Sequence, residues 1–372
     1  MHLHKLVLTN FKNYENSELE FSPRINCFVG NNGVGKTNIL DAIHYLSMTK
    51  SFFNTVENTS IRHGEDFFIV NGVFSGTDGD SNIICSFMKQ KQKSLKCNGK
   101  EYERFSDHVG RYPAVMVSPA DSVLVTGGSE ERRRFLNMII SQYDHQYLDA
   151  LMNYNRALLG RNKLLKEYAY TSRFDEEMIS SFDYQLARYG SLIHQARISL
   201  IERLVPLFQD YYNIISKNRE EVQLNYRSQL NGDDLALLLT ANRERDRQLQ
   251  HTTSGIHKDD LEFMMGGHPV KQLGSQGQQK SYLVALKLAK FSYIADMSGS
   301  APLLLLDDLF DKFDADRVEQ MINLVGNHRF GQIFITDTHQ SRLQQILEDS
   351  PTDYKLFMIG REGIEETISN GK

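Results

Sequence analysis

Residues 30–37 read GNNGVGKT, and this octapeptide decides the fold. It satisfies G-x-x-x-x-G-K-[ST], and both flanks are those the motif needs. The apolar run 25-INCFV-29 enters it as a strand, and 38-NILDAIHYL-46 leaves it with Ile39, Leu40, Ile43 and Leu46 on one helical face. Glycines allow the backbone to curl so that its N–H groups converge on an anion, and the helix N-terminus adds partial positive charge. In such a loop Lys36 reaches the terminal phosphates of a nucleotide and Thr37 offers its hydroxyl to Mg²⁺. The expected nucleotide contacts are Gly30, Asn31, Asn32, Gly33, Val34, Gly35, Lys36, Thr37 and Asn38.

A phosphate loop needs a metal-holding carboxylate at the tip of a neighbouring strand. One apolar run ends in paired acids, 303-LLLLDD-308. Asp307 is expected to position Mg²⁺ together with Thr37, and Asp308 to orient or deprotonate the attacking water. The two motifs lie at opposite ends of the chain, so the ends must fold into one sheet with the middle inserted.

The texture of the chain agrees with that plan. KLVLTNF, FFIVNGVF and NIICSFM are strand-like runs, and Asn98-Gly99 between two extended segments predicts a type I′ hairpin. From about Ser129 to Gln250 the sequence is helix-like; Leu186, Tyr189, Ile193, Ala196, Leu200 and Leu204 recur at helical spacing until Pro206, where a stop or kink is expected. After His251, PLLLLDD and GQIFITD are short continuous apolar runs, as in parallel strands buried on both faces. The fold class is therefore α/β. Residues 1–125 and 251–372 are expected to form one mixed-sheet head, and 126–250 an inserted, mainly helical lobe.

Composition narrows the function classes. The net charge is -5, so any nucleic-acid contact must rest on local basic patches. Three cysteines without C-x-x-C spacing argue against a disulfide framework or a zinc site and suit a reducing cytosol. No window has the apolar length of a membrane span, so a cytoplasmic protein without a membrane partner is expected.

The run 272-QLGSQGQQK-280 precedes an amphipathic helix and resembles a linker in composition. Serine and glycine amides at a helix N-terminus make a second anion site. The combination of phosphate loop, S-x-G-Q and acidic strand resembles the ABC-type ATPases. In these, the signature of one subunit closes on the γ-phosphate held by another, a role that falls here to Ser275, Gly277 and Gln278. The resemblance becomes specific with 10-NFKNY-14, 131-ERRRFL-136, 155-NRALLGRNKLL-165, 183-DYQLARYG-190 and 255-GIHKDDLEF-263, which occur in the order expected of the RecF family of DNA-repair proteins. That family is similar to SMC-type heads but has a short helical lobe in place of the long coiled coil. The resemblance covers roughly Leu3 to Asp337.

Membership would imply a slow ATPase acting as a switch in recombinational repair and fork maintenance. ATP would drive head-to-head dimerisation around duplex or junction DNA, hydrolysis would release it, and partner proteins would load a recombinase. It also implies that Lys12 lies near the nucleotide. Three places depart from the family pattern, the least of them Ile256, which stands where proline is usual. Asp311 and Phe313 stand where S-x-L-D usually has serine and leucine, and Thr336, Asp337 and His339 all compete for the switch position. No glutamine marks the loop that often contacts the metal; Ser118–Asp121 is the segment in its place.

For DNA the basic candidates are Lys89, Lys91 and Lys93, which share one face if 89-KQKQKSLK-96 is extended, and Arg132, Arg133 and Arg161. One arginine of the 132–134 run can instead pair with Glu130 or Glu131. Without a base-reading helix or zinc module, recognition of DNA shape is expected. A transporter ATPase subunit would carry L-S-G-G-Q and a more compact head, and an SMC-like nuclease fusion would need another domain after Ile368.

Overall fold

The computed structural model describes the chain apart from residues 77–78, 172–174, 233, 311–312, 314, 327–329, 349–352, 361–362 and 371–372. The chain forms two compact units. The first comprises Met1–Asp121, Tyr211–Asn218 and Gln276–Lys372; the second comprises Ser122–Asp210 and Arg219–Ser275.

The first unit holds two sheets. Strands β1 (His2–Phe11), β2 (Tyr14–Glu20), β4 (Phe67–Gly76), β5 (Gly79–Met88), β6 (Ser94–Cys97) and β7 (Lys100–Glu101) form an antiparallel sheet in the order β2-β1-β4-β5-β6-β7. The expected hairpin joins its last two strands: Asn98 and Gly99 both have positive φ, 51° and 79°, and Cys97 pairs with Lys100. Strands β3 (Ile25–Val29), β8 (Ala114–Val117), β12 (Leu303–Leu306), β13 (Ile333–Asp337), β14 (Tyr354–Gly360) and β15 (Gly363–Ser369) form the other, in the order β15-β14-β3-β13-β12-β8. All its pairings are parallel except β14 with β15.

The two ends of the chain thus meet in one sheet, with β13 between β3 and β12. Leu303 to Leu306 are fully buried, which explains why that strand reads as a continuous apolar run. Helix α1 (Lys36–Met48) packs against strands of both sheets. The core between them includes Phe21, Phe28, Phe334 and Phe357, with Phe21 edge-on to Phe334 at 5.0 Å and Phe28 stacked on Phe357 at 5.2 Å. Because β3, β8, β12 and β13 run in parallel, the loops that follow them open at one edge. This is where open α/β sheets bind ligands.

The second unit contains α2 (Ser129–Ile140), α3 (His145–Thr171) and most of α4 (Glu176–Ser216), together with a small antiparallel sheet. That sheet has the order β11-β10-β9, from β9 (Val222–Arg227), β10 (Asp260–Met265) and β11 (His268–Pro269). Two sequence expectations change here. Residues 251–275, assigned to the head, belong to the second unit because β10 pairs along its length with β9. Helix α4 also runs on through Pro206, which overturns the expected stop: Leu204 and Phe208 on either side are fully buried and tertiary packing outweighs the lost backbone bond.

The buried face of α4 follows one stripe: Ile179, Asp183, Leu186, Ile193, Arg197, Leu200, Leu204 and Phe208. Asp183 and Arg197 sit at core positions, each inside an ion pair. Arg161 of α3 donates to Asp183 at 2.7 Å and to Asp246 at 2.6 Å, and Arg197 donates to Asp259 at 2.6 Å. Tyr226 also donates to Asp259, at 2.5 Å.

Candidate nucleotide site

The loop after β3 is curled around its own lysine. The Lys36 ammonium donates to the carbonyls of Gly30 and Asn31 at 2.8 and 3.0 Å, while Asn31, Asn32 and Gly33 at the crest are exposed. Burial lowers the pKa of Lys36, opposed by the charges of Asp308, Asp307 and Asp337. Gly35 has φ of 110°, and a Cβ there would lie 2.3 Å from the Asn13 amide, so only glycine fits. Asn13 braces the loop: its amide donates to the Val34 carbonyl at 3.0 Å and its oxygen accepts from Asn38 at 2.6 Å.

Asp307 is the focus of the opposite wall. Its Oδ1 accepts from Thr37 at 2.8 Å and from Thr336 at 2.9 Å, and its Oδ2 accepts from Ser118 at 3.1 Å. Thr37 and Asp307 are 270 residues apart in the chain. The Ser118 hydroxyl comes from the loop after β8, held beside Asp307 because the Asp307 amide donates to the Val117 carbonyl at 2.8 Å. Asp308 takes φ of 43°, and its amide donates to Thr336 at 2.9 Å. A carboxylate and hydroxyls converging beside a phosphate loop form an all-oxygen set of the kind Mg²⁺ takes with phosphates and water.

Of the three switch candidates, Thr336 is fully buried and touches Asp307 directly. Asp337 accepts from the His339 amide at 2.8 Å, and the His339 side chain is exposed. Ser275 is exposed one residue before α5 (Gln276–Ser298), and Gly277 and Gln278 lie in its first turn. The Gly277 carbonyl accepts from Ser281 at 2.8 Å and from Arg317 at 3.3 Å. Asp311 lies outside the described residues; Phe313 has the Lys280 ammonium 4.9 Å from its ring centroid.

Lys12 forms an ion pair with the fully buried Asp41 of α1 at 2.6 Å. Asp41 also accepts from Ser51 and from the Phe52 amide, both at 2.7 Å, so Lys12 neutralises a structural carboxylate of α1.

The basic candidates separate by environment. Residues 89–90 form a turn, with φ of 61° at Gln90, and the chain bends at Lys91, so the alternation that would align the lysines is not formed. Lys89 and Lys91 are exposed, the former 3.1 Å from Asp66. Lys93 turns inward to Glu57 at 2.7 Å and lies 4.3 Å from the Tyr45 ring centroid, which removes it from a DNA-facing role. Arg132 grips Asp260 with two bonds of 2.7 and 3.0 Å, Arg133 donates to the Asp259 carbonyl at 2.8 Å, and Arg134 pairs with Glu130 and Glu131. Arg161 is fully buried between two carboxylates and cannot meet a phosphate; its assignment to DNA is corrected accordingly.

A phosphate loop and an acidic strand end in one parallel sheet, backed by an antiparallel sheet and joined to a second unit, define an ATPase head of the ABC type. Residues 2–358 match the sequence model of the RecF/RecN/SMC N terminal domain. The chain is 48% identical over 365 residues to the DNA replication and repair protein RecF of Parabacteroides distasonis, covering 98% of this chain and 99% of that one. It is 47% identical to the RecF of Bacteroides thetaiotaomicron, with 98% and 99% covered. The chain belongs to the RecF family. Among solved structures it is similar to the recombination mediator protein RecF with ATP, with a TM-score of 0.88 at 28% identity over 99% of this chain and 97% of that one. An Smc head domain from Pyrococcus furiosus shares the fold, with a TM-score of 0.59 at 16% identity over 99% of this chain and 96% of that one.

Among the described residues, no helix is long and apolar enough to cross a membrane.

Proposed function

We propose that this protein is an ATP-switched DNA-binding ATPase of recombinational repair and replication-fork maintenance, working in the cytoplasm. The observation that carries this reading is the 2.8 Å bond from Thr37 to Asp307, which joins the phosphate loop to the acidic strand end. The names of its relatives and the ATP-bound state of a similar solved structure support it.

The loop amides and Lys36 bind the nucleotide phosphates, and in doing so Lys36 exchanges its carbonyl partners for phosphate oxygens. Mg²⁺, when bound, neutralises charge on those oxygens, and Thr37 and Asp307 are the residues that would hold it. Asp308 orients the attacking water. Ser275, Gly277 and Gln278 present hydroxyl and amide donors to the nucleotide of a second copy, so ATP completes a composite site and draws two heads together. Duplex or junction DNA is gripped in that state and released after slow hydrolysis, and partner mediator proteins load a recombinase there. The exposed Lys89 and Lys91 remain the basic groups proposed to face phosphates, and Arg132 and Arg133 could join them only by leaving Asp260 and the Asp259 carbonyl.

Sedimentation tests the composite site. ATP should shift the wild-type protein from monomer to dimer, and Ser275→Arg should remain monomeric while still binding nucleotide. A Ser275→Arg protein that dimerises normally with ATP would falsify the role of the signature.

A further inference from the structure

Helix α5 begins with the signature and reaches the metal-positioning carboxylate of its own subunit by a chain of buried polar contacts. Lys287, ten positions after Gly277 and about 15 Å along the helix at its ordinary rise, is nearly fully buried. Its ammonium donates to Asp121 Oδ1 at 2.6 Å and to the Met116 carbonyl at 3.0 Å. The other oxygen of Asp121 accepts from the Ser118 amide at 2.9 Å, and the Asp121 amide donates back to the Ser118 carbonyl at 2.9 Å. That closed turn aims the Ser118 hydroxyl at Asp307 Oδ2, 3.1 Å away. Two turns earlier on the same helix, Lys280 donates to the Asp308 carbonyl at 3.2 Å. Both acids of the strand end are therefore tied to one rigid element.

Nothing in the catalytic scheme requires a buried lysine at this place. Lys287 and Asp121 touch neither the phosphate loop nor Thr37, yet an ion pair taken out of water is retained where an apolar pair would suffice for packing. We infer that Lys287 is a positioning residue that, through Asp121 and Ser118, couples the signature helix to Asp307 and so makes metal affinity at a subunit's own nucleotide site depend on the state of its signature. This rests on the reading of Asp307 as the metal-positioning carboxylate. Partners of metal ligands commonly change metal affinity by 10–100-fold when removed, and displacement of α5 at its signature end is transmitted because a packed helix moves as a body.

The test measures the Mg²⁺ concentration that gives half-maximal tightening of a fluorescent ATP analogue on the full chain. Lys287→Met should raise it about tenfold, with binding in the absence of Mg²⁺ unchanged. Lys287→Arg should restore most of the wild-type value. Ser118→Ala, which leaves the ion pair intact, should give a similar rise, and the double variant should be no worse than either single one because both break the same path.

A folded Lys287→Met protein with the wild-type Mg²⁺ requirement overturns the proposal, as does full additivity in the double variant. If Lys287→Met does not fold, Ser118→Ala alone decides, and an unchanged Mg²⁺ requirement there is fatal. Asp307→Asn separates the two readings. If it is insensitive as well, the metal assignment fails and the coupling falls with it; if it alone is sensitive, only the coupling fails.

Discussion

Two clusters of buried charge, one in each unit, are built in opposite ways. In the second unit Arg161 meets two carboxylates and Arg197 meets a third, and all five side chains are essentially out of solvent. In the first unit Asp307 meets three hydroxyls and Lys36 meets two carbonyls, although their charges lie close enough to interact. Charge against charge stabilises a fold only as long as both partners stay. Charge against neutral dipoles leaves the ion able to exchange partners when a phosphate or a cation arrives. The first arrangement holds structure; the second is ready for a ligand.

Removing one partner from each kind of cluster tests that contrast. Arg161→Leu leaves Asp246 as a buried carboxylate without its cation and Asp183 with Arg243 alone, and should cost about 3–5 kcal/mol of stability in denaturant unfolding. A loss under about 1 kcal/mol would mean the pair is solvated and the contrast is wrong. Lys36→Met removes a desolvated cation whose described hydrogen bonds go to two carbonyls. It should leave stability unchanged within about 1 kcal/mol while weakening ATP binding roughly 100-fold, since hydrogen bonds from a charged donor are worth about 1.5–3 kcal/mol each.

A third charge sharpens the same comparison. Lys290 on α5 is buried and its pKa is pushed down to about 7, first by desolvation and then by Lys287 and Lys50, with Asp121 opposing. Its folded pKa lies below the unfolded one, so between pH 7 and about 10 the unfolded chain binds the extra proton. Stability should rise with pH across that window by up to about 1.4 kcal/mol per unit, and the gain is lost as pH falls toward 7. Lys290→Met should flatten this slope in pH-dependent thermal melts. An unchanged slope would show that Lys290 is not the group responsible.

The parts of this site that were legible in the sequence are those encoded as contiguous patterns. GNNGVGKT and LLLLDD each carry their own context, and their separation requires the two ends to meet in one sheet. Single side chains delivered by topology were not legible. Asn13 braces the phosphate loop, and Thr336, one of three candidates the sequence offers, is joined to Asp307 because β13 lies between β3 and β12. No spacing rule singles out one amide or one hydroxyl.

The lysine and arginine assignments erred for a different reason. Sequence gives charge but not exposure, and Lys93 and Arg161 have carboxylate partners distant in the chain. For Arg161 a signal was present: Tyr154, Ala157, Leu164, Leu165 and Tyr168 are buried on α3, and position 161 falls on their stripe. The misplaced boundary at 251 has a similar origin, because the partner of β10 is a strand inside a segment read as helical.

The central claim is that nucleotide at the Thr37–Asp307 site switches the grip on DNA. It is met most directly by measuring binding of the wild-type protein to duplex, single-stranded and gapped DNA, with and without ATP, at low and high salt. Tight binding to duplex or junction DNA only with ATP, falling steeply with salt despite the net charge of -5, is the predicted result. Equal binding without ATP, or binding indifferent to salt, would contradict it.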